Sequence, residues 1–302
     1  MPPPLLRFLK NGPLLLLVSS VFIGGMAVTV KLACRYLPTG EVVFLRFLGG
    51  LLIIWPLARV GIIRVTVHNR KLTCLRGVLS AVAILTYFNA IARLPVAHAV
   101  LLQNTYPLFI AALSIPLLGE RAGFDTLACF LITFGGIALM LHPSGGASGV
   151  ALMGYVFGIV SATFAAGAVM TTRVLRKTDS AVSIFYYFSL IGSLLSLPAA
   201  LVHPIVPKGV GLAAIALTIV FSIAGQLLLN QAFKYTRAAE GSVVMMASTA
   251  VAATLGAWVF GDRYGGGFFV GAALIFASIA WITAKTREAA PLPAAMEQAP
   301  PA

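Results

Sequence analysis

Four polar residues, Ser222, Gln226, Asn230 and Lys234, recur every four positions within an otherwise apolar run. On a helix that interval keeps them on one face. Amides set among hydrocarbon need partners, so Gln226 and Asn230 can offer hydrogen bonds to a polar solute in a cavity, or simply bond a neighbouring helix. Other isolated polar groups raise the same pair of readings. Arg46 could attract a carboxylate, or it could snorkel to the surface or pair with Glu41. His98 could touch a solute or carry a proton, or it could be a hydrogen-bonded packing residue. Tyr87 and Asn89 form another set, Tyr186 leads Ser189, Ser193 and Ser196, and Thr249 follows Ser242, Met245 and Met246. Gln103 stands beside Asn104 and Thr105, and adjacent helical residues point about 100° apart, so Gln103 and Asn104 cannot both face one cavity. Pro107 lacks a backbone donor and can bend that helix.

These residue types bind rather than catalyse. All eight carboxylates, at 41, 120, 125, 179, 240, 262, 288 and 297, fall at the ends of apolar runs or in the tail. A carrier exchanging lipophilic cations for protons is expected to hold a carboxylate at membrane depth, so zwitterions, neutral solutes or organic anions are favoured here. An intramembrane hydrolase or transferase would need a nucleophile with its base, or paired acids, and no such constellation is seen. Cys34, Cys74 and Cys129 are odd in number and scattered, which suggests neither a disulfide framework nor a zinc site. Gly265, Gly266 and Gly267 form a loop without the strand and helix of a phosphate site. No cofactor or metal is expected.

The elements that must position these groups are long apolar helices. Of 302 residues 60% are hydrophobic and 10% charged, against about 25% charged in a soluble domain. Ten blocks can each cross the ~30 Å hydrocarbon layer: 12–33, 41–60, 72–92, 96–118, 124–142, 150–172, 181–202, 210–233, 239–260 and 266–285. The fold class is therefore all-α and integral to the membrane. Arg7 and Lys10 precede the first block as they would a signal peptide, but the block is long and nine more follow, so it reads as an uncleaved helix. With the N-terminus in the cytoplasm, fifteen of the 21 Lys and Arg, Arg76 among them, fall in inner segments. Five fall outside, and Arg46 lies within a span. That bias places both termini in the cytoplasm and explains the net charge of +13 without nucleic acid. The Pro/Ala-rich tail, 288–302, is expected to be disordered.

The chain also repeats itself. A shift of 142 residues brings Ser19 onto Ser161, Gly25 onto Gly167, Gly50 onto Gly192 and Arg121 onto Arg263. The same shift sets Glu120 against Asp262, so LLGER at 117–121 and VFGDR at 259–263 are equivalent. Two repeats follow, 12–142 and 150–285, with five helices each. An odd number turns the second upside down. Inverted repeats of this kind in secondary transporters place a substrate near the midplane between the halves and open to either side in turn. The first four spans of each half should line the cavity, and the apolar fifth spans should brace it from outside. Gly154-x-x-x-Gly158 and Gly267-x-x-x-Gly271 allow close helix contact within the bundle.

This pattern resembles the EamA type of the drug/metabolite transporter superfamily, ten-helix exporters built from two five-helix repeats. The resemblance spans about residues 12–285. It rests on the Gly24 to Lys31 spacing, LRF at 45–47, YFNAIARLPVAHAVLLQNTYPLF at 87–109 and the closing LLGER. What it implies is a carrier in the bacterial inner membrane that exports small metabolites, frequently amino acids. The expected partners are that substrate and the lipid bilayer; a homodimer is allowed, but one chain suffices. Organic phosphates or nucleotide-linked sugars are the alternative cargo, which would call for more than one cation deep in the cavity.

Overall fold

A computed structural model describes residues 11–61, 63, 65–118, 124–141, 149–202, 205–235 and 244–289. The described elements are helices: α1 (Gly12–Ala33), α2 (Thr39–Arg59), α3 (Arg70–Arg93), α4 (Val96–Gln103), α5 (Tyr106–Leu118) and α6 (Phe124–Leu141). The second half supplies α7 (Gly149–Leu175), α8 (Ala181–Leu201), α9 (Gly209–Ala232), α10 (Ala247–Phe260) and α11 (Gly266–Ala289). Seven stretches are long and apolar enough to cross a membrane, α4 with α5 counting as one. The shorter apolar stretches Leu127–Met140, Ala247–Phe260 and Gly266–Trp281 complete ten. The protein is a multi-pass, all-helical membrane protein.

Local chemistry sets the helix ends. Asn11 accepts the Leu14 amide at 3.2 Å to start α1, and Asn69 accepts that of Leu72 at 3.0 Å to start α3. Ser180 accepts the Ser183 amide at 3.0 Å at the head of α8. Gly261 closes α10 in the left-handed region, φ 69°, where a side chain would be strained.

Packing follows the 142-residue register. Helix α1 lies on α9 as α7 lies on α3; α1 meets α10 as α7 meets α4 and α5; and α2 with α8, α6 with α11, and α4 with α10 pair across the halves. Single contacts repeat too. Ser19 donates to the Gly225 carbonyl at 2.8 Å, and Ser161 donates to that of Ala83, its register equivalent, at 2.7 Å. Gly25 receives the Phe221 ring and Gly167 receives Leu79. Phe47 fills the hollow at Gly192, while Ser189 lies over Gly50. Each of these pairs maps onto the other when the halves are exchanged, which is what a two-fold axis between the repeats requires.

The loops show that the second half is inverted. At one end of the bundle Glu41 accepts the Ile205 amide, and Asp262 accepts the Val96 amide at 3.0 Å. At the other end Asp179 accepts the His68 amide at 3.1 Å, and Arg176 reaches the Asn230 carbonyl at 3.0 Å. Asp262 ends the ninth span yet sits beside the start of the fourth. Helices α6 and α11 cross closely, Gly136 against Gly271, with Thr133 and Ser278 hydroxyls 2.6 Å apart. Gly154 and Gly158 take up Leu94 and Leu102. All four glycines of the two GxxxG patterns therefore pack inside the bundle.

One expectation is corrected here. The fourth span is not continuous: it breaks at Asn104 and Thr105, where the Thr105 and Leu108 amides reach back only three residues. Pro107 supplies the cause, since it gives the Gln103 carbonyl no donor. The ninth span turns at Met246, the register equivalent of Asn104, without a proline. LLGER beyond Leu118 and the first residues of the ninth span, 239–243, lie outside the described residues, as does the tail from 290.

Candidate functional site

Three clusters of polar side chains sit within the bundle, and each joins spans from both halves. The first lies where the two broken spans meet. The Asn104 amide donates to Ser248 Oγ and Thr249 Oγ1, both at 3.0 Å, and to the Met245 carbonyl at 3.3 Å. Ser248 Oγ donates to that same carbonyl at 2.6 Å, so a backbone group freed by the turn at Met246 is satisfied from both sides. Asn104 and Thr249 are 5% and 3% exposed. Gln103, one residue away, faces α7 instead, with its side-chain amide against Ser161 Oγ. The two neighbouring amides do point apart, as expected of adjacent helical residues, and it is Asn104 that joins the halves at the breaks.

The second cluster holds two cations. Arg46 is 3% exposed, and its guanidinium carbon lies 4.7 Å from the Phe47 ring centre and 5.1 Å from that of Phe188. Arg76, 5% exposed, lies 5.0 Å from the same Phe188 ring and donates through Nε to Thr172 Oγ1. Among the described residues, Arg46 Nε and Nη1, Arg76 Nη1 and the neighbouring Ser189 Oγ have no hydrogen-bond partner. No described carboxylate forms an ion pair with either arginine. Glu41, the partner considered for Arg46, binds the backbone of Ile205 instead. Nor does Arg46 snorkel, since it is buried. Arg76 corrects the sequence reading, which counted it as a flanking cation. Asn69 caps α3 one residue before Arg70, so Arg76 stands well inside the helix.

The third cluster closes one end. Lys31 Nζ lies 3.0 and 3.2 Å from the Asp262 carboxylate, which also accepts the Val96 amide at the head of α4. Behind it, His98 Nδ1 meets Tyr155 OH at 2.6 Å, and its ring stacks on Phe268 at 4.9 Å and 2°. Tyr155 OH donates to the Met140 carbonyl at 3.2 Å, which leaves His98 Nδ1 as the donor in the first bond. His98 is thus held by α7 and α11 in an aromatic nest.

The remaining candidates are dispersed. Gln226 Nε2 donates to Asn230 Oδ1 at 3.1 Å along α9, so the expected stripe shares a face, and Asn230 Nδ2 has no partner among the described residues. Asn89 is engaged by Leu85 O and Arg93 on its own helix. Tyr87 is buried, its hydroxyl without a partner among the described residues, and Tyr186 packs edge-on against Tyr187 at 5.2 Å. Among the described residues no group of three or more His, Cys, Asp or Glu is placed to hold a metal ion.

Comparison with known proteins agrees with this architecture. The chain matches the EamA-like transporter family twice, over residues 10–142 and 152–284. It is 32% identical over 234 residues to a pseudopaline exporter, CntI, of Pseudomonas aeruginosa strain UCBPP-PA14, covering 77% of this chain and 82% of that protein. An uncharacterized transporter of Archaeoglobus fulgidus is 29% identical over 277 residues, 91% of this chain and 98% of the relative. A solved crystal structure superposes with a TM-score of 0.67 at 17% identity, covering 93% of this chain and all of that one, which supports the fold. With two family matches in tandem over nearly the whole helical region, the chain belongs to the EamA-like transporter family.

Proposed function

We propose that this transporter is a secondary carrier that exports amino acids or similar small polar metabolites from the cytoplasm by alternating access between its inverted halves. The observation that carries this reading is the meeting of two broken spans at Asn104, Met245, Ser248 and Thr249. Interrupted helices leave backbone groups and helix ends facing the protein interior, where a polar solute can use them, and the two-fold relation gives the same bundle two equivalent ways to open. The export direction follows the exporter to which the chain is similar. The Lys and Arg bias supports the inner membrane with both termini in the cytoplasm, so the Lys31–Asp262 end faces outward. Arg46, Gln103, Gln226, Asn230 and Thr249 remain the contacts expected from the sequence, and Arg76 joins them.

The test is counterflow of a labelled metabolite panel into proteoliposomes, with and without a pH gradient. Accelerated uptake of an amino acid is the expected result. Movement of a phosphorylated solute with no movement of any amino acid would refute the substrate class. Formation of a chemical product by the purified protein in detergent would refute the carrier reading altogether.

A further inference from the structure

The geometry points to a doubly acidic substrate, a dicarboxylate amino acid or a close relative, bound between Arg46 and Arg76. This deepens the carrier reading and rests on it. Both guanidinium carbons stand about 5 Å from the one Phe188 ring, so they lie within two such lengths of each other, one from α2 and one from α3. Both are nine-tenths or more buried, and both keep N–H donors with no acceptor among the described residues. Ser189 Oγ, equally unpartnered, follows Phe188 in the chain.

Aromatic faces attract a guanidinium but accept few of its hydrogen bonds. Two like charges at this depth also repel each other, and desolvation is unfavourable to each. A single carboxylate relieves one arginine and leaves the other. Two acidic groups on one small molecule relieve both, because each planar guanidinium can take a carboxylate through paired, charge-assisted hydrogen bonds. Two separate acidic groups fit two separated guanidiniums better than one compact phosphate does. The repeat marks the same place: the register equivalent of Arg46 is Phe188 and that of Arg76 is Thr218, so the cations sit on the first half alone.

The experiment compares L-glutamate with L-glutamine, which share shape and differ by one charge, as competitors for binding to the purified full-length protein. Wild type should favour glutamate by about tenfold to a hundredfold. Arg46→Gln and Arg76→Gln should each bring the two compounds to within about threefold, while Arg46→Lys and Arg76→Lys, which keep the charge, should retain part of the preference. Arg59→Gln, at the exposed end of α2, should leave it unchanged. Equal binding of the two compounds by wild type, binding of neither, a full preference in both Gln variants, or glycerol 3-phosphate displacing glutamate would each overturn the inference. Counterflow separates the two claims. Flux without a charge preference sinks the two-arginine site alone, whereas a glutamate preference without any flux sinks the carrier reading.

Discussion

Asp262→Asn removes one charge and almost no volume, and its consequences can be worked from the contacts it breaks. Asp262 holds Lys31 of α1 at 3.0 Å and the Val96 amide at the head of α4 at 3.0 Å, so a single carboxylate ties together two spans of the first half and the end of α10. The two side chains keep 17% and 11% of their surface exposed. That lies between exposed pairs, worth about 0–1 kcal/mol, and buried pairs, whose disruption costs about 3–5 kcal/mol. A loss near 2 kcal/mol is therefore expected, to which the weaker acceptor at a helix N-terminus contributes a part. If the contact exists only while this end is closed, about 2 kcal/mol shifts the balance toward opening about thirtyfold. Cys34 reports the change, because it caps α1 one turn beyond Lys31. Burial pushes its thiol up to about 11, and the thiolate is the reactive form. At a fixed pH near 7.5, wild type should react slowly with a membrane-impermeant maleimide, and the variant about tenfold to thirtyfold faster by peptide mass spectrometry. Lys31→Gln should act in the same direction. Labelling unchanged in both variants would show that the pair does not close this end, and the alternating role given to it would fall.

Other perturbations address the axis, the packing and the orientation. Asn104→Ala removes a contact between the halves and should cost about 0.6–1.7 kcal/mol, the range for hydrogen bonds between membrane helices, read as a lower thermal midpoint in detergent together with slower counterflow; an unchanged midpoint would argue against the contact. A Cβ at Gly192 would meet Phe47 ring carbons at 2.5 Å, whereas one at Gly135 would meet nothing within 4 Å. Gly192→Ala should therefore lose about 1–3 kcal/mol, while Gly135→Ala should be neutral or gain up to about 1 kcal/mol; equal effects on the midpoint would refute the α2–α8 packing. Arg70→Cys, at the exposed first residue of α3, should react with an impermeant maleimide in inside-out vesicles and be protected in right-side-out vesicles, read on its own peptide by mass spectrometry. The opposite result would reverse the orientation.

The spans were legible because the signal is redundant. A helix surrounded by hydrocarbon must be apolar over its whole length, and few residues are needed to mark its ends. The first block, 12–33, coincides with α1, and the described ends of most others fall within about three residues of their expected positions. The repeat was legible because its register never changes, and the structure gives that register physical content in the matched bonds of Ser19 and Ser161. What failed was local. Pro107 announced a bend but not its place, and the turn at Met246 has no breaker residue at all. The carbonyl of Met245 just before it is satisfied by Ser248 and by Asn104 from the opposite half, so that turn is stabilised by a partner distant in sequence.

Arg76 shows most plainly why a site is harder to read than a fold. The apolar block 72–92 already contains Arg76, four residues past its start, yet a cation so near a cytoplasmic end counts with the flanking charges that set orientation. Asn69 adds to this: as an N-cap it starts α3 at Arg70, two residues earlier, and so sets Arg76 further inside the helix. Even so, nothing along the chain says that Arg46 and Arg76 face one ring. Their meeting depends on Phe188, which the two-fold packing of α2 against α8 brings to them from the other half. The repeat thus sets where the halves touch, while the departures from it set what lies between them. An inverted carrier with identical halves would present the same chemistry twice; this one places both deep cations on one half and an aromatic ring on the other, and that asymmetry is where selection of an acidic solute can begin.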